Sequence, residues 1–240
     1  MAYTPLTETF TLPSGTPVTV REMTGADEDI LMNEKLVRAN KAQHQLLGNV
    51  IVELDGHKPT SQDVQNMWSA DRAAVLLHAR VLSFGPELSG VHECDNVDCK
   101  NKFSIQVDDL LHDLEYRPAP ENFEAIDVDL PSGLTATMRP MRGADENRLL
   151  QARQKGDLMT ELLFSRIVEV SGLEEGKDGN RVREWLRSCR LQDRTALRKA
   201  MEAHEFGYQT QILTSCPVCY TEQRVDVMSL PDFFFPGSRG

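Results

Sequence analysis

Long hydrophobic runs are missing from this sequence: no stretch approaches the ~18 uninterrupted apolar residues that a membrane-spanning helix needs. From Met1 to Gly15 there is no basic start followed by an apolar run, so the chain reads as neither an integral membrane protein nor an obvious Sec substrate. Basic residues are in deficit. Against 37 Asp and Glu there are 26 Lys and Arg, a net charge of −11, which argues against a surface built to neutralise nucleic-acid phosphates. Catalytic signatures are missing too: there is no Gly-rich phosphate loop, no His-Glu-x-x-His, no Gly-x-Ser-x-Gly, and the six histidines are scattered. The acids at Asp27-Glu28 and Asp145-Glu146 recur, but helix N-termini attract acids for electrostatic reasons. No catalytic and no cofactor-binding residue is assigned, and no enzyme activity is expected.

What is present is ordinary for a folded chain, 40% hydrophobic and 26% charged over 240 residues, enough for one to two domains. The order within it is not ordinary. Leu12 to Leu31 (LPSGTPVTVREMTGADEDIL) and Leu130 to Leu149 (LPSGLTATMRPMRGADENRL) share twelve identities in twenty positions at an offset of 118. Average composition gives roughly one, so the sequence reads as a tandem duplication. Asp71-Arg72 then aligns with Asp193-Arg194, Cys94 with Cys216, Cys99 with Cys219, and Val107-Asp108 with Val225-Asp226.

The expected architecture is α+β in two homologous halves, residues 1–118 and 119–240. Each half opens on a hairpin: Thr7–Leu12 with Thr16–Arg21 around Pro13-Ser14-Gly15, and Ile126–Leu130 with Thr135–Arg139 around Pro131-Ser132-Gly133. Helices follow. Thr24 can cap the first, while Arg142 in the second copy lacks a capping oxygen. The apolar runs Val50–Leu54 and Leu158–Val170, with Trp68 and Trp185, read as core helices, as do the segments after Asp71 and Asp193, which Gly85-Pro86 and Gly207 terminate. Each half closes on a zinc-ribbon-like hairpin: Val91–Glu93 with Phe103–Val107, and Gln211–Leu213 with Gln223–Val227. Tyr116 to Pro120 reads as a linker that few contacts cross.

Five cysteines come as two close pairs and a single, which fits metal knuckles in a reducing compartment better than disulfides. Cys216-Pro217-Val218-Cys219 has zinc-knuckle spacing, and Cys94 with Cys99 stands at the equivalent place in the repeat. Four thiolates meeting across a pseudo-twofold axis give one zinc site per chain. An iron–sulfur cluster or a metal site decayed to packing remains open, and His92 or His112 could replace a ligand. A dithiol redox site is disfavoured, since that chemistry needs its first cysteine at a helix N-terminus. Cys189 reads as a buried small apolar residue.

Two further features are set apart. Arg183, Arg187, Arg190, Arg194 and Arg198 recur at three- and four-residue steps, as a solvated face paired with Glu184, Asp193 and Glu202, or as a surface for an acidic partner such as the first half of another copy. The segment Leu230-Pro-Asp-Phe-Phe-Phe-Pro236 must dock on the chain's own core or reach a partner, and the partner contact is the working expectation.

The order of Leu-Pro-Ser-Gly, Arg-x-Met-x-Gly-Ala-Asp-Glu, an Asp-Arg start to an apolar helix ending Ser83-Phe84-Gly85, a cysteine knuckle and a Val-Asp strand end resembles the bacteriophage base plate protein family, typified by hub-assembly proteins of contractile-tailed phages. The resemblance covers residues 12 to 110 and 130 to 230; the family as known lacks the doubling. It implies a non-catalytic structural or assembly role in the virion tail baseplate after synthesis in the host cytoplasm. Other tail proteins, and copies of itself, are the implied partners, with neither nucleic acid nor membrane. A tail assembly chaperone that leaves before the particle is finished, and a zinc-ribbon adaptor unrelated to phage, are the alternatives.

Overall fold

The computed structural model describes residues 3–237, the side chains of residues 147, 151 and 153–155 excepted. Thr7–Thr11 (β1) and Pro17–Arg21 (β2) form the expected antiparallel hairpin. Gly15 takes φ +93° in its turn, a left-handed backbone that side chains resist. Three helices follow: Gly25–Met32 (α1), Glu34–Arg38 (α2) and Ala42–Val50 (α3). The chain then returns as Ile51–Leu54 (β3) beside β2, with a bulge between Thr19 and Val20. Ser61–Asn66 (α4) leads into Ser69–Phe84 (α5), which Gly85 ends at φ +85°. Leu88–Glu93 (β4) and Lys102–Val107 (β5) form a second hairpin, and Leu110–Asp113 (α6) and Tyr116–Arg117 (β6) complete this stretch.

A similar order follows. Ile126–Asp129 (β7), Thr135–Met138 (β8) and Ile167–Ser171 (β9) make a three-stranded sheet whose bulge, between Thr137 and Met138, matches that at Thr19 and Val20. Two helices, Gly143–Lys155 (α7) and Leu158–Phe164 (α8), lie between β8 and β9 where the first sheet has three. Gly179–Ser188 (α9), Leu191–Ala203 (α10), Gly207–Tyr208 (β10) and the hairpin of Gln211–Ser215 (β11) with Glu222–Asp226 (β12) follow. Two single 3-10 turns, Val227–Ser229 and Pro231–Phe233, come after the hairpin.

The repeated polar residues prove to be buried fasteners. Arg21 grips Asp27 with two hydrogen bonds of 2.7 and 3.0 Å, and Arg139 grips Asp145 with two of 2.8 and 3.2 Å. The same aspartates accept the N–H of the residue that precedes each helix, Thr24 (2.9 Å) and Arg142 (3.0 Å). Capping therefore runs through the aspartate in both places, which is why arginine can stand where Thr24 stands. Asp71 and Asp193, both buried, accept the N–H of Ser14 and Ser132, each at 3.0 Å, and so fix each hairpin turn to the start of a helix. Beside them Arg72 donates to the Val64 carbonyl (2.9 Å) and Arg194 to that of Leu186 (3.4 Å).

Burial alone would raise the Asp27 carboxyl, but the Arg21 guanidinium and the Thr24 N–H outweigh it and hold the group below its ordinary value. A carboxylate depressed on folding adds stability above its unfolded pKa and loses it as pH falls through the folded value. Asp27→Asn should thus cost about 2 kcal/mol at pH 7, and the gap from wild type should shrink in urea titrations near pH 3. A gap independent of pH would contradict this origin.

Several expectations are corrected. Val50–Leu54 and Leu158–Val170 are not helices throughout: each run switches to a strand, β3 and β9, because β-branched Ile51-Val52 and Ile167-Val168 suit a pleated surface. The Tyr116 segment is not a bare linker, since β6 pairs with β10. Gly207 opens β10 rather than closing a helix; α10 ends at Ala203. Arg183 and Arg187 lie on α9, Arg194 and Arg198 on α10, and Arg190 between the two helices. Arg183 binds Glu161 (2.7 Å) over the Phe164 ring and Arg187 binds Asp157 (3.1 Å), so their partners lie on and just before α8 instead of at Glu184, Asp193 or Glu202.

Three apolar clusters result. One joins β2, β3, α3 and α5 through Val18, Val20, Leu46, Leu47, Ile51 and Val75; another joins β8, β9, α9 and α10 through Ala136, Met138, Val170, Leu186 and Leu197. The third joins the middle of the chain to its C-terminal part. Leu88, Ile105, Val107, Leu110 and Leu114 pack there against Val225, Val227, Leu230 and Phe233. The aromatic tail therefore docks on its own chain, with Phe233 fully buried, which corrects the expected partner contact. Gly90 in β4 makes room: a Cβ there would lie 3.3 Å from Leu230.

Candidate metal centre

The shared cluster brings the β4–β5 and β11–β12 hairpins together. Cys94 follows β4 directly and Cys216 follows β11 directly; Cys99 and Cys219 end the two turns. The strands re-enter register at once, because the Cys94 N–H reaches the Asn101 carbonyl (2.9 Å) and the Cys216 N–H that of Thr221 (3.1 Å). Each turn tightens after its second cysteine, where Lys100 and Tyr220 take φ +46° and +60°. A left-handed non-glycine backbone costs on the order of 1 kcal/mol, so both turns hold their shape against a local cost.

All four sulfurs lie within 4.8 Å of one another. Across the hairpins, Cys94 Sγ is 3.6 Å from Cys219 Sγ, and Cys99 Sγ is 3.8 Å from Cys216 Sγ. These are not disulfide lengths, about 2.05 Å. They match the edge of a thiolate tetrahedron around one ion, about 3.8 Å for a zinc–sulfur bond of about 2.3 Å. Nearby backbone N–H groups, those of Asn96, Asn101, Val218, Cys219 and Thr221, favour the ionised sulfurs. Such donors stabilise thiolate charge from outside the ligand shell.

Ionisation is uneven across the four. Burial above all, together with the Cys216 and Cys219 sulfurs, pushes the Cys94 thiol up to about 12. The Thr221 hydroxyl and N–H hold Cys219 down to about 6. Against burial, the Cys219 and Val218 N–H groups hold Cys216 below its ordinary value as well; four thiolates this close need a cation to balance them. The donor set, four soft sulfurs at single-ion spacing, fits that requirement. A polynuclear iron–sulfur cluster sets sulfide between its irons and spreads cysteine sulfurs more widely than one ion does.

A family model described as T4 bacteriophage base plate protein matches residues 5–235. The chain belongs to that family. No curated protein and no solved structure matches it. Baseplate membership gives the four-sulfur cluster a setting in a phage structural protein whose family partners are other tail proteins. No helix of the described residues is long and apolar enough to cross a membrane.

All four paired cysteines named from spacing meet in this baseplate-family chain, and the other residues weighed beside them do not. His92 bonds Gln223 (3.3 Å), and His112 lies on the surface beside Asp113. Cys189 is half-buried at the edge of the cluster around Leu197, its thiol 3.6 Å from the Leu186 carbonyl. Spacing gave no sign of Gln223, whose side-chain oxygen also accepts the Asp95 N–H (2.9 Å) and so ties the two turns together. Both knuckles connect strands, so neither cysteine pair gains the helix N-terminus that dithiol redox chemistry uses.

Proposed function

We propose that this chain is a structural component of the phage tail baseplate or its hub, built for protein–protein contacts, with one zinc ion per chain held by Cys94, Cys99, Cys216 and Cys219. The family match over residues 5–235 carries the structural reading. Sulfur spacing at the edge length of a zinc tetrahedron supports the metal. Zinc would supply charge balance and a cross-link, with no open position for chemistry, since four protein ligands close a tetrahedral site.

The chain is further proposed to be a tandem duplication, with units 1–118 and 119–240. Support comes from the twelve shared residues and from the matched fasteners, bulges and left-handed turn residues. Two similar but non-identical surfaces in one chain can engage two related neighbours or bridge sites of unlike symmetry.

Quantitative mass spectrometry of purified particles tests the role. Stoichiometric presence in virions is the expected result. Absence from particles whose assembly nonetheless needs the gene marks a departing assembly chaperone and rejects the structural reading. Metal analysis of the purified protein should return about one zinc per chain; zinc-free protein with every thiol free would reject the metal.

A further inference from the structure

Apart from the cysteine hairpins, the segments before α5 and α7 meet in a contact that is not symmetric. Trp68, ahead of α5, forms an antiparallel bridge with Arg142, ahead of α7. The Ser69 N–H donates to the Met141 carbonyl (2.8 Å) and the Gly143 N–H to that of Met67 (3.0 Å). Arg142 lies 4.2 Å over the Trp68 ring, and Arg72 pairs with Glu146 at 2.9 Å. Arg72 comes so close to Gly143 that a Cβ there would stand 2.8 Å from its guanidinium.

The repeat alignment gives each of these surfaces a counterpart. Met67 to Ser69 and Arg72 correspond to Cys189, Arg190, Leu191 and Arg194; Met141 to Gly143 and Glu146 correspond to Met23, Thr24, Gly25 and Glu28. These counterparts do not meet within the chain. Leu191 is 71% exposed, and Arg190, Gly25 and Glu28 are exposed. Among the described residues the N–H groups of Leu191 and Gly25 and the carbonyls of Met23 and Cys189 have no hydrogen-bond partner. The counterparts of all four are paired in the bridge at Trp68 and Arg142.

Gly25 differs from Gly143 in its surroundings. Its φ lies outside the left-handed range and nothing stands within 4 Å of where its Cβ would be, so no local contact requires glycine. At Gly143 the requirement is visible, since Arg72 lies on it. Charge agrees, with Arg190 and Arg194 on one surface and Glu28 and Asp29 on the other.

We propose that a second copy of this chain seats the start of its α10 on the start of α1, with Arg194 lying across Gly25 and pairing with Glu28. The contact is heterologous: each copy offers one of each surface, so copies join head to tail into a closed ring or an open chain. The inference rests on the equivalence of the two halves and is independent of the metal.

Sedimentation velocity on the full-length, metal-loaded protein tests it, in a concentration series reaching about 1 mM at low and high salt. Wild type should associate with rising concentration and dissociate with added salt. Gly25→Val, placed in open space, and Arg194→Glu should each lower the association constant at least tenfold while keeping the wild-type circular dichroism spectrum; Glu28→Arg is a second variant of the α1 surface should Gly25→Val misfold. Mixing Gly25→Val with Arg194→Glu should give 1:1 dimers and nothing larger, because one variant keeps the α10 surface and the other the α1 surface. A wild type monomeric throughout, association unchanged in the variants, or a mixture without dimers overturns the proposal. Any of these results leaves the baseplate reading standing, and a negative particle assay leaves this test standing.

Discussion

Cys216→Ala is expected to strip the proposed zinc and melt both cysteine hairpins. Cys216 is fully buried, and its sulfur faces Cys99 across the junction. Structural zinc is worth roughly 10–16 kcal/mol in small modules at neutral pH, against a typical domain stability of about 5–15 kcal/mol. Even a fraction of the metal's contribution therefore decides whether this junction persists. Three thiolates and an open position hold zinc far more weakly than four. Hydrogen exchange should rise sharply in β4, β5, β11 and β12, while the sheets β1–β2–β3 and β7–β8–β9, which have their own clusters, stay protected. A chelator acting on wild type should reproduce the pattern. Cys189→Ala, outside the sulfur cluster, should keep about one zinc per chain. Full zinc content and an unshifted melting curve in Cys216→Ala would reject the site.

Phe233→Ala should destabilise the protein by about 3–5 kcal/mol, the usual cost of removing a buried aromatic side chain and leaving a cavity. The ring is wholly enclosed, with Phe234 edge-on at 4.7 Å, and its cluster draws on residues from mid-chain as well as from the C-terminal part. The cavity would open beneath β4, where Gly90 already lets Leu230 approach closely, so little can collapse into it. The exposed apolar residue Val97, on the first cysteine turn, offers the contrast. Val97→Ala should stay within about 0.5 kcal/mol of wild type. Urea unfolding of the three proteins side by side gives the comparison, and equal midpoints for Phe233→Ala and wild type would refute the docking.

What the sequence disclosed were features encoded over short spans. The Pro-Ser-Gly turns, the Asp-Glu helix starts and the cysteine spacings each state their geometry within a few residues, and all were found where expected. The third strands were hidden because a four- or five-residue apolar run satisfies a buried helix and a buried strand equally well. Only pairing with β2 and β8 separates the two. Asp71 and Asp193 were visible as a repeated dipeptide with Arg72 and Arg194, yet their task of anchoring a hairpin turn lies about sixty residues away in sequence. The same holds for Gln223 at the junction and for β6 on β10. Long-range polar partners leave no periodic trace.

The four sulfurs also impose a schedule. Cys99 and Cys216 are 117 positions apart, so at roughly 5–20 residues per second the second pair leaves the ribosome about 6 to 23 s after the first. Through that interval the first hairpin has only two thiols and lacks the Val225, Val227 and Phe233 side that covers its apolar face. It is a half-built joint, open to wrong metals, to oxidation and to the first hairpin of a neighbouring nascent chain. Closure of the four-sulfur cluster therefore waits until both hairpins, far apart in sequence, have been made and have met.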